Sequence, residues 1–339
     1  MSSPQVTVLT AVHNGARYLP ETIACIKAQT FTDWEYILVD DNSDDQTCKL
    51  IEDARRSDNR LRLLRRKHTG GPYAAANDGL REAHGQYIVR IDADDLCTPN
   101  RVDKQLQFLA DHPEFRACVS YWQGFNESGA RSEAVTSIPR NSRVFRWSLL
   151  LRNHVIHSSG CIKRDAIVEI GGYRELPLSQ DYRLWCELAR RGWLGTIPEV
   201  LCFYRFHEKR QTVKNRSLQS ELALGVISDH ILSLTGETWT RQDLEALRDV
   251  GLSLPMPIHK GMQMLDRWER IWQSATDLTV QDRRELKELS SLRRWKHLRA
   301  NVRNQPSAAL IGLLRWAVSG RFLHGLLRYD GGDRKSAIV

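Results

Sequence analysis

The chain has 339 residues, 41% of them hydrophobic, and a formal net charge of +8. It can bury a full core, the length suggests two domains, and the composition is that of a globular protein rather than a disordered or fibrous one. Seven cysteines without a CxxC pair argue against a secreted disulfide framework; MSSPQVTV lacks the features of a signal peptide, and no apolar run is long enough to span a bilayer. A cytoplasmic location is the expectation.

The excess charge is local. From Gln281 to Val339 there are 13 Lys/Arg against 5 Asp/Glu, and the preceding 280 residues balance at 36 of each. Eight basic residues and no acidic one lie between Leu289 and Tyr329, which points to a local anionic partner.

QVTVLTAV (5–12) predicts a first strand, and the spacing of Leu19, Ile23 and Ile26 predicts a helix near Arg17 to Gln29. EYILVD (35–40) reads as a strand, residues 45–56 as a helix, RLRLL (60–64) as a strand, GGPYAAANDGLREAHG as a Gly-bounded loop and helix, and QYIVRID (86–92) as a buried central strand. This alternation predicts an α/β fold with right-handed crossovers and a mostly parallel central sheet flanked by helices. Ligands bind beyond the carboxyl ends of such strands, where Thr10 to Asn14, then Asp40, Asp41 and Ser43, then Asp92 to Asp95 fall.

Carboxylates held together stay ionised most readily around a hard cation. Mg²⁺ and Mn²⁺ suit oxygen ligands, and Mg²⁺ is commonly shared between one or two carboxylates and the phosphates of a substrate. The sequence has no GxxxxGK[ST] loop and no GxGxxG after a strand, so a bound diphosphate would depend on the metal for neutralisation.

VTVLTAVHNGARYLPETIACIKAQTFTDWEYILVDDNSDDQT and GQYIVRIDADDLCTPNRVDKQLQFLADHP are similar to the family 2 inverting glycosyltransferases of the GT-A fold. The resemblance covers about residues 5 to 215 and includes VDDNSDD, DADD and PNR in the family's order. It implies a Rossmann-like domain in which Thr10, Ala11, Asn14, Asp40 and Asp41 form the pocket for base and ribose. It further implies that Asp92 faces the ribose and sugar, with Ala93 beside it in the nucleotide pocket, that Asp94 binds Mn²⁺ or Mg²⁺, and that Asp95 organises the loop. Many relatives carry an arginine before the asparagine of GPYAAANDGL; here Ala76 precedes Asn77, and Arg90 is the candidate to take over part of that phosphate or sugar contact.

Inversion needs a base for the acceptor hydroxyl. LPLSQDYRLWCELARRG (176–192) has the layout of the family's base segment, which makes Asp181 the base, with Gln180 in place of a common Glu. The plainer reading of Asp181, a carboxylate favoured at a helix N-terminus, is compatible with that role. HSSGCIKRDAIVEIGGYRE (157–175) resembles the segment leading to the acceptor site, and FYRFHEKRQT (203–212) the family's late motif, with His207 as a metal or diphosphate ligand and Arg205 as a phosphate donor. His13, His154 and His157 are given no role.

Beyond residue 215 the pattern is helical. Thr240 is a candidate N-cap with Asp243 three residues on, and Leu265, Trp268 and Trp272 share a helical face expected to pack on the catalytic domain. Residues 307–329 give two amphipathic pieces broken near Ser319 and Gly320, with basic residues and Trp316, suited to an anionic membrane surface; packing in a homo-oligomer is the plainer alternative.

The expected organisation is a catalytic domain over 1–215, a helical extension over 216–305 and a basic amphipathic tail over 306–339. The expected function is metal-dependent inverting transfer of a hexose-type sugar from a UDP-sugar to a lipid-linked glycan in cell-surface polysaccharide assembly. The setting is the inner face of the cell membrane, with no nucleic-acid partner. A sugar-nucleotide-binding scaffold without activity, a nucleic-acid binder using the basic tail, and a nucleotidyltransferase are the competing readings.

Overall fold

The computed structural model describes residues 3–208, 210, 215–301 and 305. They fall into two compact units, one drawn from residues up to Ile138 and from Val155–Leu222, the other from Pro139–His154 and from Ala223 onward.

The first unit begins with three strand–helix repeats, β1 (Val6–Val12), α1 (Leu19–Lys27), β2 (Trp34–Asp40), α2 (Thr47–Ser57), β3 (Leu61–Arg65) and α3 (Gly71–Arg81), and continues into β4 (Tyr87–Arg90). All seven residues of β2 are buried, as a strand covered on both faces requires. Leu19, Ile23 and Ile26 supply the buried stripe of α1, and Pro20 occupies its first turn, where no backbone donor is lost. The chain then adds β5 (Leu96–Cys97), α4 (Arg101–Asp111), β6 (Ala117–Asn126) and β7 (Arg131–Thr136). A 3₁₀ turn at His157–Ser159, β8 (Cys161–Lys163), α6 (Arg164–Glu169), α7 (Gln180–Arg190) and β9 (Leu194–Phe206) complete the sheet region.

The nine strands form one sheet in the order β3-β2-β1-β4-β8-β6-β9-β5, with β7 on β6. The predicted parallel arrangement holds for β3, β2, β1 and β4. Beyond β4 the sheet is mixed: β8 runs antiparallel to both β4 and β6, while β9 is parallel to β6 and antiparallel to β5. Strand–helix alternation is clear only up to β4, and three-residue β8 is too short to carry a periodic signal.

The second unit contains α5 (Ser142–Ser148), most of α8 (Arg216–Thr235), α9 (Arg241–Gly251), α10 (Ile258–Gln273) and α11 (Val280–Asn301). Trp147 of α5 and Trp268 and Trp272 of α10 are fully buried, and the Trp268 indole donates to the Trp147 carbonyl at 3.1 Å. The apolar face of α10 therefore packs within this unit, against a segment more than a hundred residues upstream. Asn141 caps α5 through its side-chain oxygen and donates to Asp282 at 2.6 Å, whose other oxygen receives the Thr279 amide at the start of α11. Thr240 accepts from the Asp243 amide as predicted, while the Asp243 carboxylate turns outward to Arg267 at 2.7 Å. Among the described residues no helix is long and apolar enough to cross a membrane. The predicted break near Ser319 and Gly320, and the tail around it, lie outside the described residues.

At Gly251, the end of α9, an added Cβ would lie 1.9 Å from the Leu151 carbonyl oxygen. Backbone cannot yield there as a flexible side chain would, so Gly251→Ala should destabilise the helical unit by about 1–3 kcal/mol, the usual cost of overpacking. A lowered unfolding midpoint in thermal or urea denaturation checks this.

Candidate active site

The parallel register brings the ends of three strands together. Val12 lies opposite Asp40, and Leu9 opposite Arg90, so the residues following β1, β2 and β4 share one sheet edge.

On the β1–β2 side, Thr10 is fully buried, its hydroxyl shared between Tyr36 Oη (2.9 Å) and the Ile91 carbonyl (2.7 Å). It sets the spacing between strands, and half-buried Ala11 is the next residue toward the edge. Asn14 adopts φ 54°, and its amide N–H donates to Ser43 Oγ while its side-chain oxygen accepts from the Asp44 amide. Asp40 is fully buried; one oxygen accepts the Ser43 amide and the other has no hydrogen-bond partner among the described residues. The nearby Cys48 thiol, pushed up to about 11 by burial and by Asp40, keeps its proton. Asp41 is by contrast saturated: it accepts from the Gly70 and Gly71 amides at 3.0 and 2.8 Å and pairs with Arg66. Its carboxylate thus holds the N-terminus of α3, which begins at Gly71 with φ 82°.

On the β4 side, Asp92, Ala93, Asp94 and Asp95 form a tight loop. Asp95 is buried and accepts from Ser158 Oγ at 2.5 Å and from the Arg205 amide at 3.0 Å. Burial, and after it the charges of Asp94 and Asp92, push its carboxyl well above the usual carboxylate range. Asp92 is also raised, by burial first and then by Asp94, against the pull of Arg90. The Asp92 amide donates to Ser158 Oγ at 2.9 Å, so one serine hydroxyl ties both ends of the loop.

Asp94 faces His207, Oδ2 to Nε2 at 2.9 Å, and the imidazole lies against the Tyr18 ring at 4.6 Å. Tyr18 in turn donates to Glu127, which also pairs with Arg17 at 2.9 Å. Arg205 is buried with its guanidinium occupied: Nε donates to the Asp94 carbonyl at 2.8 Å and Nη2 pairs with Glu21 at 3.0 Å. Its visible work is to fix the carboxylate loop. Arg210 stacks on Tyr204 at 3.7 Å, and its charge is felt by Asp92, Asp94 and Asp95; burial lowers its pKa against their attraction.

The third cluster lies between these two. Arg90 is almost fully buried and donates to His157 Nε2 (3.2 Å) and, through Nη2, to Asp92 Oδ1 (3.4 Å). His157 Nε2 lies 2.8 Å from the Tyr173 hydroxyl. Burial pushes that phenol up to about 12, and Arg90, Asp92 and Asp181 all act on it. Asp181 sits in the first turn of α7 behind Ser179, a non-glycine residue at φ 62°. A left-handed serine is uncommon, and such backbone strain gathers at functional sites. The Asn77 amide group pairs with the Tyr173 backbone, donating to its carbonyl at 2.8 Å and accepting its N–H at 2.9 Å. Asn77 thereby anchors the loop carrying Tyr173 to α3.

Of the residues singled out in the sequence, Asp92, Asp94, His207 and Arg90 gather at this edge, Asp40 and Asn14 line the β1–β2 side of it, and Asp181 acts with Asp92 on Tyr173. Thr10, Asp41, Asn77 and Arg205 are present with side chains already committed to protein partners. His157, Tyr173, Arg210 and Tyr18 are the participants that sequence patterns missed. Arg210 stood three residues beyond His207, and His157 and Tyr173 within the 157–175 stretch, in motifs already marked, but nothing in those motifs told which side chains face the loop.

Residues 7–171 match the model of glycosyl transferase family 2. The putative glycosyltransferase EpsE of Bacillus subtilis is 30% identical over 222 residues, 64% of this chain and 77% of that protein. The chain belongs to glycosyltransferase family 2. Its fold is that of S. aureus TarS 1–349 in complex with UDP-GlcNAc (TM-score 0.58, 16% identity, covering 93% of this chain and 92% of that one). It is also that of the Pyrobaculum calidifontis mannosyltransferase PcManGT in complex with GDP-Man and Mn²⁺ (TM-score 0.57, 17% identity, 94% and 88%). These likenesses identify the GT-A fold with a helical C-terminal region.

Asp95 tests the carboxylate loop. Asp95→Ala leaves the Ser158 hydroxyl and the Arg205 amide without their acceptor, an expected loss of about 1–3 kcal/mol; Asp95→Asn, the shape of the neutral acid, should retain most of that stability. Denaturation of both variants measures the difference.

Proposed function

We propose that the protein is an inverting glycosyltransferase that moves a hexose-type sugar from a nucleotide diphosphate, UDP first, to a hydroxyl of a glycan acceptor. The observation that carries this reading is the convergence of the Asp92–Asp94 pair and His207 at the carboxyl edge of the parallel strands, with Asp181 acting on the Tyr173 beside them. Asp40, with its unpartnered buried oxygen, and Asn14 are suited to the donors and acceptors of the base and ribose. Thr10, Ala11 and Asp41 contribute by shaping that pocket, and Ala93 keeps the loop narrow beside it.

A divalent ion fits the opposed oxygen and nitrogen of Asp94 and His207, which are acceptable ligands for Mn²⁺ or Mg²⁺. Among the described residues no group of three or more His, Cys, Asp or Glu side chains could hold a metal. A protein pair with substrate oxygens and water would complete the coordination, and the bound ion would neutralise diphosphate charge. Arg210, already drawn to the carboxylates, adds positive charge on the same side. Asp181 takes the proton of the acceptor hydroxyl as that oxygen attacks the anomeric carbon, and the nucleoside diphosphate leaves from the opposite face. Asn77 holds the Tyr173 loop toward the acceptor side.

Calorimetric titration of UDP in the presence of Mn²⁺, Mg²⁺ or EDTA tests the donor site. Binding should require the metal and weaken at least tenfold in Asp94→Ala. Asp181→Asn should bind UDP nearly as well as the unaltered chain, yet lose about 10²–10⁴-fold in transfer, the range for removing a general base. Metal-independent UDP binding that Asp94→Ala leaves unchanged would exclude this site design.

Arg293 and Arg294 are buried and bonded within the helical unit, and the other basic residues of the acid-free run between Leu289 and Tyr329 support a peripheral position on an anionic membrane, where a lipid-linked glycan would be presented. Deleting residues 306–339 should release the protein from phosphatidylglycerol vesicles at physiological salt without reducing UDP binding; unchanged vesicle binding would overturn the assignment.

A further inference from the structure

Arg90 and Asp92 are adjacent opposite charges, yet they do not form the pair such neighbours prefer. A guanidinium and a carboxylate in a buried setting ordinarily meet as a bidentate fork with N···O distances near 2.8 Å. Here a single contact of 3.4 Å joins Nη2 to Asp92 Oδ1. The Nε edge of the guanidinium is turned to His157, and Nη1, buried, has no partner among the described residues. The guanidinium thus divides its donors between the imidazole and Asp92 instead of closing on the carboxylate.

Both imidazole nitrogens face the guanidinium, Nε2 at 3.2 Å from Arg90 Nε and Nδ1 at 3.4 Å from Nη2, and Nδ1 lies 3.7 Å from Asp92 Oδ1. The Tyr173 hydroxyl meets Nε2 at 2.8 Å. Burial, and next the charge of Arg90, hold the imidazole neutral. The ring is fixed from outside as well: Tyr173 and Trp185 meet it edge-on at 5.3 and 6.2 Å, and its 3₁₀ turn continues into Ser158, which is bonded to Asp92 and Asp95.

We propose that His157 is a positioning residue that holds the Arg90 guanidinium away from a closed ion pair with Asp92, so that the part-exposed Asp92 carboxylate stays available to the nucleotide-sugar donor. The inference rests on the donor-site reading above. Without the imidazole, the guanidinium rotates its Nε–Nη2 edge onto Asp92, each charge satisfies the other, and the donor loses the carboxylate contact.

The test is titration of UDP and of UDP-GlcNAc, each with Mn²⁺, into the unaltered chain, His157→Ala, His157→Gln and His157→Asn, with unfolding midpoints recorded alongside. His157→Ala should weaken binding about tenfold. The glutamine and asparagine amides reach the places of Nε2 and Nδ1, both of which face Arg90, and each should recover part of the loss, glutamine to within about threefold. Weakening with both ligands places the Asp92 contact on the nucleotide, and weakening with UDP-GlcNAc alone places it on the sugar. In an Arg90→Ala background His157→Ala should add less than a twofold effect, because a residue acting through Arg90 has nothing left to position. Independent, multiplying losses, or equal binding by His157→Ala and the unaltered chain, would overturn the proposal. If the unaltered chain binds neither UDP nor GDP sugars, the donor-site reading fails first and this inference with it.

Discussion

Three carboxylates within four residues, at the end of a buried strand, are the constraint around which the rest of this site is organised. Asp92, Asp94 and Asp95 repel one another, Asp95 is cut off from water, and burial with mutual charge raises both Asp92 and Asp95. The protein meets this with a different device for each. Asp95 is satisfied internally by a serine hydroxyl and a backbone amide, Asp94 is set against an imidazole, and Asp92 is left half-open beside a restrained arginine. The loop is thereby ordered without being neutralised, which is the condition for a cationic or hydroxyl-bearing ligand to find it attractive.

The surrounding elements serve that loop. Arg205, which a phosphate-binding role would place facing substrate, spends its donors on the Asp94 carbonyl and on Glu21, tying β9 and α1 to the loop backbone. The 3₁₀ turn at His157–Ser159 does the same from the other side. Asn77 fixes the Gly171–Gly172 loop to α3, and at Gly172 a Cβ would lie 2.7 Å from the Asn77 oxygen, so a glycine is needed for that close approach. The loop carrying Tyr173 is in this way referred to the same rigid strands as the carboxylate loop.

Much of the first unit was legible in the sequence because its signals are local. The runs VTVLTAV, WEYILVD and YIVR are apolar and β-branched, the helices between them carry a buried stripe, and the acidic clusters punctuate the strand ends. The mixed half of the sheet was not legible: β8 is three residues long, and its place between β4 and β6 is fixed only by the pairing of Ile88 with Ile162 and of Ala117 with Ile162. The grouping of Pro139–His154 with helices from the other end of the chain is equally non-local, resting on contacts such as Trp147 with Trp268 and Asn141 with Asp282.

The sequence by itself determined the family, the order of strands and helices to β4, and the identity of Asp92, Asp94, Asp181 and His207 as candidates, because each is carried by a contiguous motif. Tertiary structure alone decided which side chains remain available. Whether Arg205 faces a ligand or a carbonyl, whether Asp41 is free or saturated, and whether a lone histidine is inert or wedged between a guanidinium and a phenol depend on partners 16 to more than 100 positions away. Hydrogen-bond capacity is finite, and it is spent in space rather than along the chain.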